Sequence, residues 1–382
     1  MKLLIRLSIN ILLLILIPGL FPGLSAQQTY YKHMEGKIGE NVSIVADLIR
    51  VQNNISGYYY YFFKEKDGDT TWTHYGKSMP VTGKLGNDQS IEFQEFDQDT
   101  KGALFQGTII NNEGITGTWQ NRDGTKKLNF ELKETYPSGS MAFQVYYLKD
   151  ETTLVKDPKS PKATIELILL IPKDFPDAVI QDTVTKIICM DFFHQDSIAS
   201  TPALELKREK EQYFANYISS NEDIYDGGSS FNWGKTKALK IQHNENYILS
   251  LETYDYGYTG GAHGLPVSKF KVINLKDGHI FTLDDIFRPE YLNDLRDIVN
   301  SALRVKYNLG KGQSLKDAGF FEDFVEPSTN FYVNKDGIGF YYNRYEAAPF
   351  AMGSIDVFVN FDKLQRIMKI GSPIYLMAEP QL

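Results

Sequence analysis

The chain has 382 residues, 42% of them hydrophobic and 23% charged, with a formal net charge of −8. These are globular proportions that exclude a disordered polymer and a membrane-embedded body, and the length calls for at least two domains. An acidic chain without a long basic run is repelled by phosphate backbones, which argues against nucleic acid as a partner. The 24 Tyr and 24 Phe favour strands, where flat rings pack on a pleated surface.

At the N-terminus Lys2 and Arg6 precede an apolar run broken by Pro18 and Pro22, and Ser25-Ala26 supplies a cleavage site. This predicts a signal peptide over residues 1–26 and an exported product, periplasmic or extracellular. Losing Lys2 and Arg6 with that leader takes the charge from −8 to −10. No cysteine follows the apolar run, which argues against a lipid anchor, and no later stretch is apolar enough to cross a bilayer, so no stable membrane span is expected after cleavage. The sole cysteine, Cys189, cannot form an intramolecular bridge and reads as a buried hydrophobe.

Residues 27–135 carry a weak repeat, Ile55-Ser56-Gly57-Tyr58-Tyr59, Val81-Thr82-Gly83-Lys84-Leu85, Phe105-Gln106-Gly107-Thr108-Ile109 and Ile115-Thr116-Gly117-Thr118-Trp119. Each sets a glycine among apolar residues at a strand or bulge. With the clean alternation of Leu128 to Lys133 and turn sequences such as NNEG and NRDG, this predicts an antiparallel meander closed into a barrel or packed as a sandwich. The aromatic run Tyr58 to Phe63 reads as strand core, with glycan stacking as the alternative.

Pro137, Gly139 and Ser140 mark a break, and a second region is expected over 140–375, divided near 140–240 and 241–375. ATIELILLIP reads as a buried strand. Ile180, Val184, Ile187 and Ile188 recur at helical spacing behind Pro176, which suits a first turn, and a second helix covers PALELKREKEQYFANYI. Strands return at KALKIQHNENYILSLETYDYGY and VSKFKVINL. A helix then places Leu292, Leu295, Val299 and Leu303 on one face, and the last strands fall at NFYVNKDGIGFYYN and SIDVFVNF. Helices among mainly antiparallel strands make the fold class α+β.

Catalytic patterns are sparse. The histidines His33, His74, His194, His243, His263 and His279 include no pair three or four apart, so the helical two-histidine zinc motif is absent and no metal is expected. No phosphate-cradling glycine loop or nucleophile elbow occurs, and no cofactor is expected. Acidic pairs such as Glu252 with Asp255 carry no specific signal.

The stretch from Tyr256 to Gly264 has two readings. In the first, Tyr256, Tyr258, Thr259 and His263 form a ligand-binding loop, with His263 free to act on a substrate. In the second, a strand ends in a turn where Gly260 and Gly261 take positive φ and the imidazole caps neighbouring carbonyls.

Three motifs in order, Tyr258-Thr259-Gly260-Gly261-Ala262-His263, Leu283-Asp284-Asp285-Ile286-Phe287 and Tyr345 to Gly353, carry a family resemblance. The region from about 140 to 375 resembles the paired extracellular domains of uncharacterised function found in the RsiV anti-sigma factor and the PdaC peptidoglycan deacetylase. The resemblance implies an envelope setting. In RsiV-type proteins the region binds lysozyme, and in PdaC-type proteins it accompanies a separate deacetylase domain. This chain shows neither a sigma-binding segment nor a deacetylase domain, and the motif transfers no catalytic role to His263. The expectation is an exported bacterial binding protein that recognises wall glycan or a lysozyme-like protein. The alternative is a glycan-directed hydrolase using His263 with a carboxylate such as Asp255.

Overall fold

A computed structural model of the chain describes residues 29–68, 70–97, 100–197, 200–224 and 231–378. The expected signal peptide lies outside them. The N-terminal part is a run of antiparallel strands, β1 (Thr29–Ile38), β2 (Val42–Val51), β3 (Asn54–Asp67), β4 (Thr70–Tyr75), β5 (Met79–Leu85), β6 (Ser90–Asp97), β7 (Thr100–Ile110), β8 (Gly114–Gln120) and β9 (Lys127–Glu134). Because β1 pairs with both β2 and β9, and β3 with both β2 and β5, the sheet closes into an eight-stranded barrel with β4 an added partner of β3. The alternatives of barrel and sandwich thus resolve to a barrel.

Period-two alternation sends Ile44, Ala46, Leu48, Ile55 and Tyr59 inward to a core with Phe93, Phe105 and Phe130. The repeat glycines stand where strands approach most closely. A Cβ on Gly57 would strike the Asp47 carbonyl oxygen, one on Gly83 that of Glu92, and one on Gly117 that of Gln106. Gly107 and Gly117 sit directly opposite one another, and Phe130, the partner of Gly117 on its other side, lays its ring against Gly107. Glycine lets the wall coil tightly enough to close, and the neighbouring aromatic fills the space left by the missing side chains.

The rest of the chain forms two sheets. The first, in spatial order, is β10 (Ala142–Thr153), β11 (Lys162–Lys173), β12 (Trp233–Glu245), β13 (Ile248–Tyr258) and β14 (Leu265–Asn274), antiparallel except for the β11 and β12 pair. That parallel pair needs a crossover, supplied by α1 (Ala178–Phe193) and α2 (Pro202–Asn221). The division expected near residue 240 falls within β12.

Helix α1 is capped by Asp177, whose carboxylate accepts the amide protons of Val179 and Ile180 at 2.9 and 3.1 Å. Pro176 therefore precedes the cap rather than opening the first turn, a correction to the sequence reading. Ile180, Val184, Ile188, Cys189 and Phe192 face β11, β12 and β13. Burial pushes the Cys189 thiol up to about 11, as expected of a structural cysteine.

The second sheet, β15 (Phe331–Val333), β16 (Gly337–Tyr342) and β17 (Ile355–Asn360), is covered by α4 (Leu292–Lys306), which follows the short α3 (Leu283–Ile286). Leu295, Val299 and Leu303 of α4 are buried at four-residue spacing. Leu292, expected on the same face, is 55% exposed because the first turn runs past the edge of the core.

The barrel is docked rather than tethered. Tyr31, Ile49 and Val51, on its outer face, belong to the core that also holds Met141, Phe143 and Leu249.

Candidate functional site

Where β3 and β5 of the barrel meet β12, β14, β16 and β17, a cleft of about 620 Å³ opens. That size lies within the range of about 300–1,000 Å³ usual for small-ligand sites. One wall is aromatic. Phe270 lies 5.0 Å from Tyr332 and 5.2 Å from Tyr341 between ring centroids, and Tyr332 lies 6.2 Å from Phe358. Tyr332 can occupy this place because its cross-strand partner is Gly339, where any Cβ would collide with the tyrosine ring.

Against these rings stand polar groups already held in position. Both oxygens of Glu252 are engaged, Oε1 by Lys240 at 3.1 Å and Ser268 at 2.8 Å, Oε2 by Gln242 at 3.1 Å. Asp356 accepts a hydrogen bond from Tyr332 at 3.0 Å. Burial raises the Asp356 carboxyl above its ordinary value, outweighing the nearby Lys306. Lys77 and Lys306 complete a lining whose lysines and carboxylates roughly balance. The arrangement offers flat apolar faces beside oriented donors and acceptors, the chemistry that suits a ligand with apolar faces and a hydroxylated rim.

The residues singled out in the sequence lie on a continuation of this surface. Along β13 the period of two puts Glu252, Tyr254, Tyr256 and Tyr258 on one face. Tyr254 receives the Lys240 ammonium 4.5 Å above its ring. Tyr258 donates from its hydroxyl to the Gly261 carbonyl at 3.0 Å, and the Tyr256 ring fills the space where a side chain on Gly264 would stand.

Gly260 and Gly261 take φ of 94° and 92°, the positive values expected of the turn. His263 does not cap carbonyls. Its ring stacks on Phe350 at 3.5 Å and 18°, while the Arg344 guanidinium lies 3.9 Å from the Phe350 centroid. The first and third of the sequence motifs thus meet in one stack. Thr259 sits exposed beside it.

Asp255 belongs to the opposite face of β13. It pairs with Lys237 at 3.4 Å and His194 at 3.7 Å, beside α1. The structure therefore brings His263 to Phe350 and Arg344, and leaves Asp255 and Glu252 on different sides of the sheet. Sequence reading missed Lys240, Tyr332, Tyr341 and Asp356. The one local signal was the GIGF run, whose Gly339 marks a close approach.

An eight-stranded barrel docked on a helix-covered α+β region, with a polar aromatic cleft at the junction, defines the class of this protein. Its C-terminal region is a DUF3298 domain, since residues 284–362 match the family described as "Protein of unknown function (DUF3298)". Tyr332, Tyr341, Asp356 and Phe358 of the cleft all fall inside that segment.

The chain is also 24% identical over 166 residues to the peptidoglycan-N-acetylmuramic acid deacetylase PdaC of Bacillus subtilis, covering 43% of this chain. It spans only 35% of that relative's length. A solved DUF3298 member from Bacteroides fragilis superposes with a TM-score of 0.59 at 25% identity, over 63% of this chain and 98% of that one. A second, from Pseudomonas aeruginosa, gives 0.43 at 16% identity with the same coverages. The family match, the PdaC alignment and the Bacteroides structure bear out the resemblance read from the three motifs.

Proposed function

We propose that this is an exported protein of the bacterial envelope that binds wall glycan in the cleft between barrel and sheets. The observation that carries the reading is the lining of that cleft: Phe270, Tyr332 and Tyr341 present ring faces beside Lys240, Glu252 and Asp356. The C–H faces of a pyranose stack on such rings, its hydroxyls and acetamido groups bond to oriented side chains, and a lysine suits the carboxylate of a muramic acid unit. The kinship with a peptidoglycan deacetylase supports a wall-directed ligand. The leader-like N-terminus supports export, and among the described residues no helix is long and apolar enough to cross a membrane.

Binding is favoured over turnover. The carboxylates at the cleft are tied down, Glu252 by three donors and Asp356 by Tyr332, and the pair invoked for hydrolysis, His263 and Asp255, lies on separate partners. The test is a calorimetric titration of the purified protein with soluble, enzymatically released wall glycan, beside Phe270→Ala and Tyr341→Ala. Saturable binding weakened roughly tenfold or more by either variant, at unchanged fold, is the expected result. Equal affinity in parent and variants contradicts it. Inactivated lysozyme titrated without glycan covers the other expected ligand, and saturable binding of lysozyme alone would replace the glycan reading.

A further inference from the structure

The outer face of the barrel buries a histidine whose environment the glycan reading does not use. His33 of β1 is 0% exposed, and its cross-strand partner in β2 is Asp47. The imidazole Nδ1 lies 2.8 Å from Asp47 Oδ1, which also accepts the Tyr31 hydroxyl at 2.5 Å. Tyr31 in turn accepts from Asn244 of β12 at 2.7 Å. This chain fixes the ring, and in the neutral imidazole it puts the proton on Nδ1, so that Nε2 presents its lone pair.

That Nε2 is buried and has no hydrogen-bond partner. It faces Glu35 Oε1 at 3.9 Å, two residues along the same strand face, and Glu245 Oε1 at 3.8 Å, at the end of β12. The three atoms all lie within 4.8 Å of one another. The other oxygen of Glu245 is held by the Tyr60 hydroxyl at 2.5 Å, which leaves Oε1 turned to the histidine.

We infer that His33, Glu35 and Glu245 form a binding site for a first-row divalent cation of the Zn²⁺ type, clasping the barrel to the sheet. One imidazole and two carboxylates form a donor set such ions accept, and three protein ligands leave a fourth position open. At metal–ligand distances of about 2.0–2.2 Å, tetrahedral donors stand roughly 3.4 Å apart. Each observed gap at Nε2, 3.9 Å to Glu35 and 3.8 Å to Glu245, must close by about half an ångström. The Glu35 side chain, 40% exposed, has room for its share and opens the site to solvent, while Glu245 must shift against its bond from Tyr60. Asp47 behind His33 and Tyr60 behind Glu245 play the orienting part that outer-shell groups play at metal sites.

A protonated ring is the competing account, since against the effect of burial Asp47, Glu245 and Glu35 together raise the imidazole above its ordinary value. An N–H on Nε2 would then need an acceptor within about 3.2 Å, and neither glutamate oxygen is that close. Helical histidine spacing could not reveal the site, because two ligands are spaced as on a strand and the third comes from another sheet.

The test is calorimetric titration of the tag-free, chelator-stripped chain with Zn²⁺ and Mn²⁺ at pH 7.5, Mg²⁺ and Ca²⁺ serving as oxygen-preferring controls, with melting temperatures read in parallel. One Zn²⁺ per chain, a rise in melting temperature reversed by EDTA, and at least about a tenfold loss of affinity in Glu35→Gln are expected. Glu35 is half-exposed, so this variant should fold, whereas a His33 variant strips the buried Asp47 of a partner. Failure of Zn²⁺ and Mn²⁺ to saturate the stripped parent, or binding that Glu35→Gln leaves unchanged because the ion sits on surface pairs such as His279 and Asp285, would overturn the site.

Discussion

At the scale of single residues, partners decide what a side chain does. His263 drew attention as a histidine among glycines. Its place is set by a ring stacked on Phe350, a residue far along the chain that no local pattern joins to it. The glycines were legible because positive φ is a local demand, whereas the stack was not.

Asp191 of α1 shows the same dependence. It accepts Thr253 of β13 at 2.7 Å and pairs with Lys271 of β14 at 2.7 Å. Burial works to raise its carboxyl, but the bonds from Lys271 and Thr253 outweigh that and hold it below the ordinary value. A depressed folded pKa gives stability that is present above the unfolded value of about 3.9 and is lost as pH falls through the folded one. Asp191→Asn should therefore cost about 1–3 kcal/mol in urea melts at pH 7, and the gap to the parent should close in acid. A pH-independent difference would mean that packing rather than charge holds the residue.

At the scale of elements, periodicity carried most of the reading. The alternation of β9, the four-residue spacing of α1 and α4 and the glycine repeat of the barrel are all local signals, and each corresponds to an element found. Errors fell at ends, where Pro176 and Leu292 depend on a cap and on the edge of a core rather than on period. The choice of barrel over sandwich was not legible, because it depends on β1 pairing with β9 at the far end of the meander. The glycines nonetheless record it: Gly117→Ala forces a Cβ into the backbone of β7 and should destabilise the chain by about 1–3 kcal/mol. Surface substitution of Thr116, the exposed residue before it, should change the urea midpoint little. Equal behaviour of the two variants would deny that close approach fixes the wall.

At the scale of the whole molecule, the barrel and the α+β part share a core and a buried polar network. Asn244, fully buried, donates to Tyr31 at 2.7 Å and to the Met141 carbonyl at 2.7 Å, and accepts the Met141 amide at 2.8 Å. Asn244→Ala leaves those partners unsatisfied and should cost about 2–4 kcal/mol while splitting one calorimetric transition into two. A single transition with little loss would mean that the apolar contacts of Tyr31, Ile49 and Val51 suffice.

The cleft exists only because of this docking. Its lining comes from three sheets, so residues such as Tyr58, Lys240, Tyr332 and Asp356 are near in space and remote in sequence. A single chain read by period and motif has no means of bringing them together. Tyr256 and Tyr258, which such a reading does single out, share the Glu252 face of β13 but stand outside the cleft lining.

The most direct test of the cleft as the binding site is amide hydrogen exchange on the whole protein with and without saturating wall glycan. Protection confined to segments lining the cleft, around residues 77–80, 332–334 and 354–358, is the result this account predicts. Protection limited to the turn at 258–264, or spread over the far side of the barrel while the cleft segments exchange as before, would contradict it.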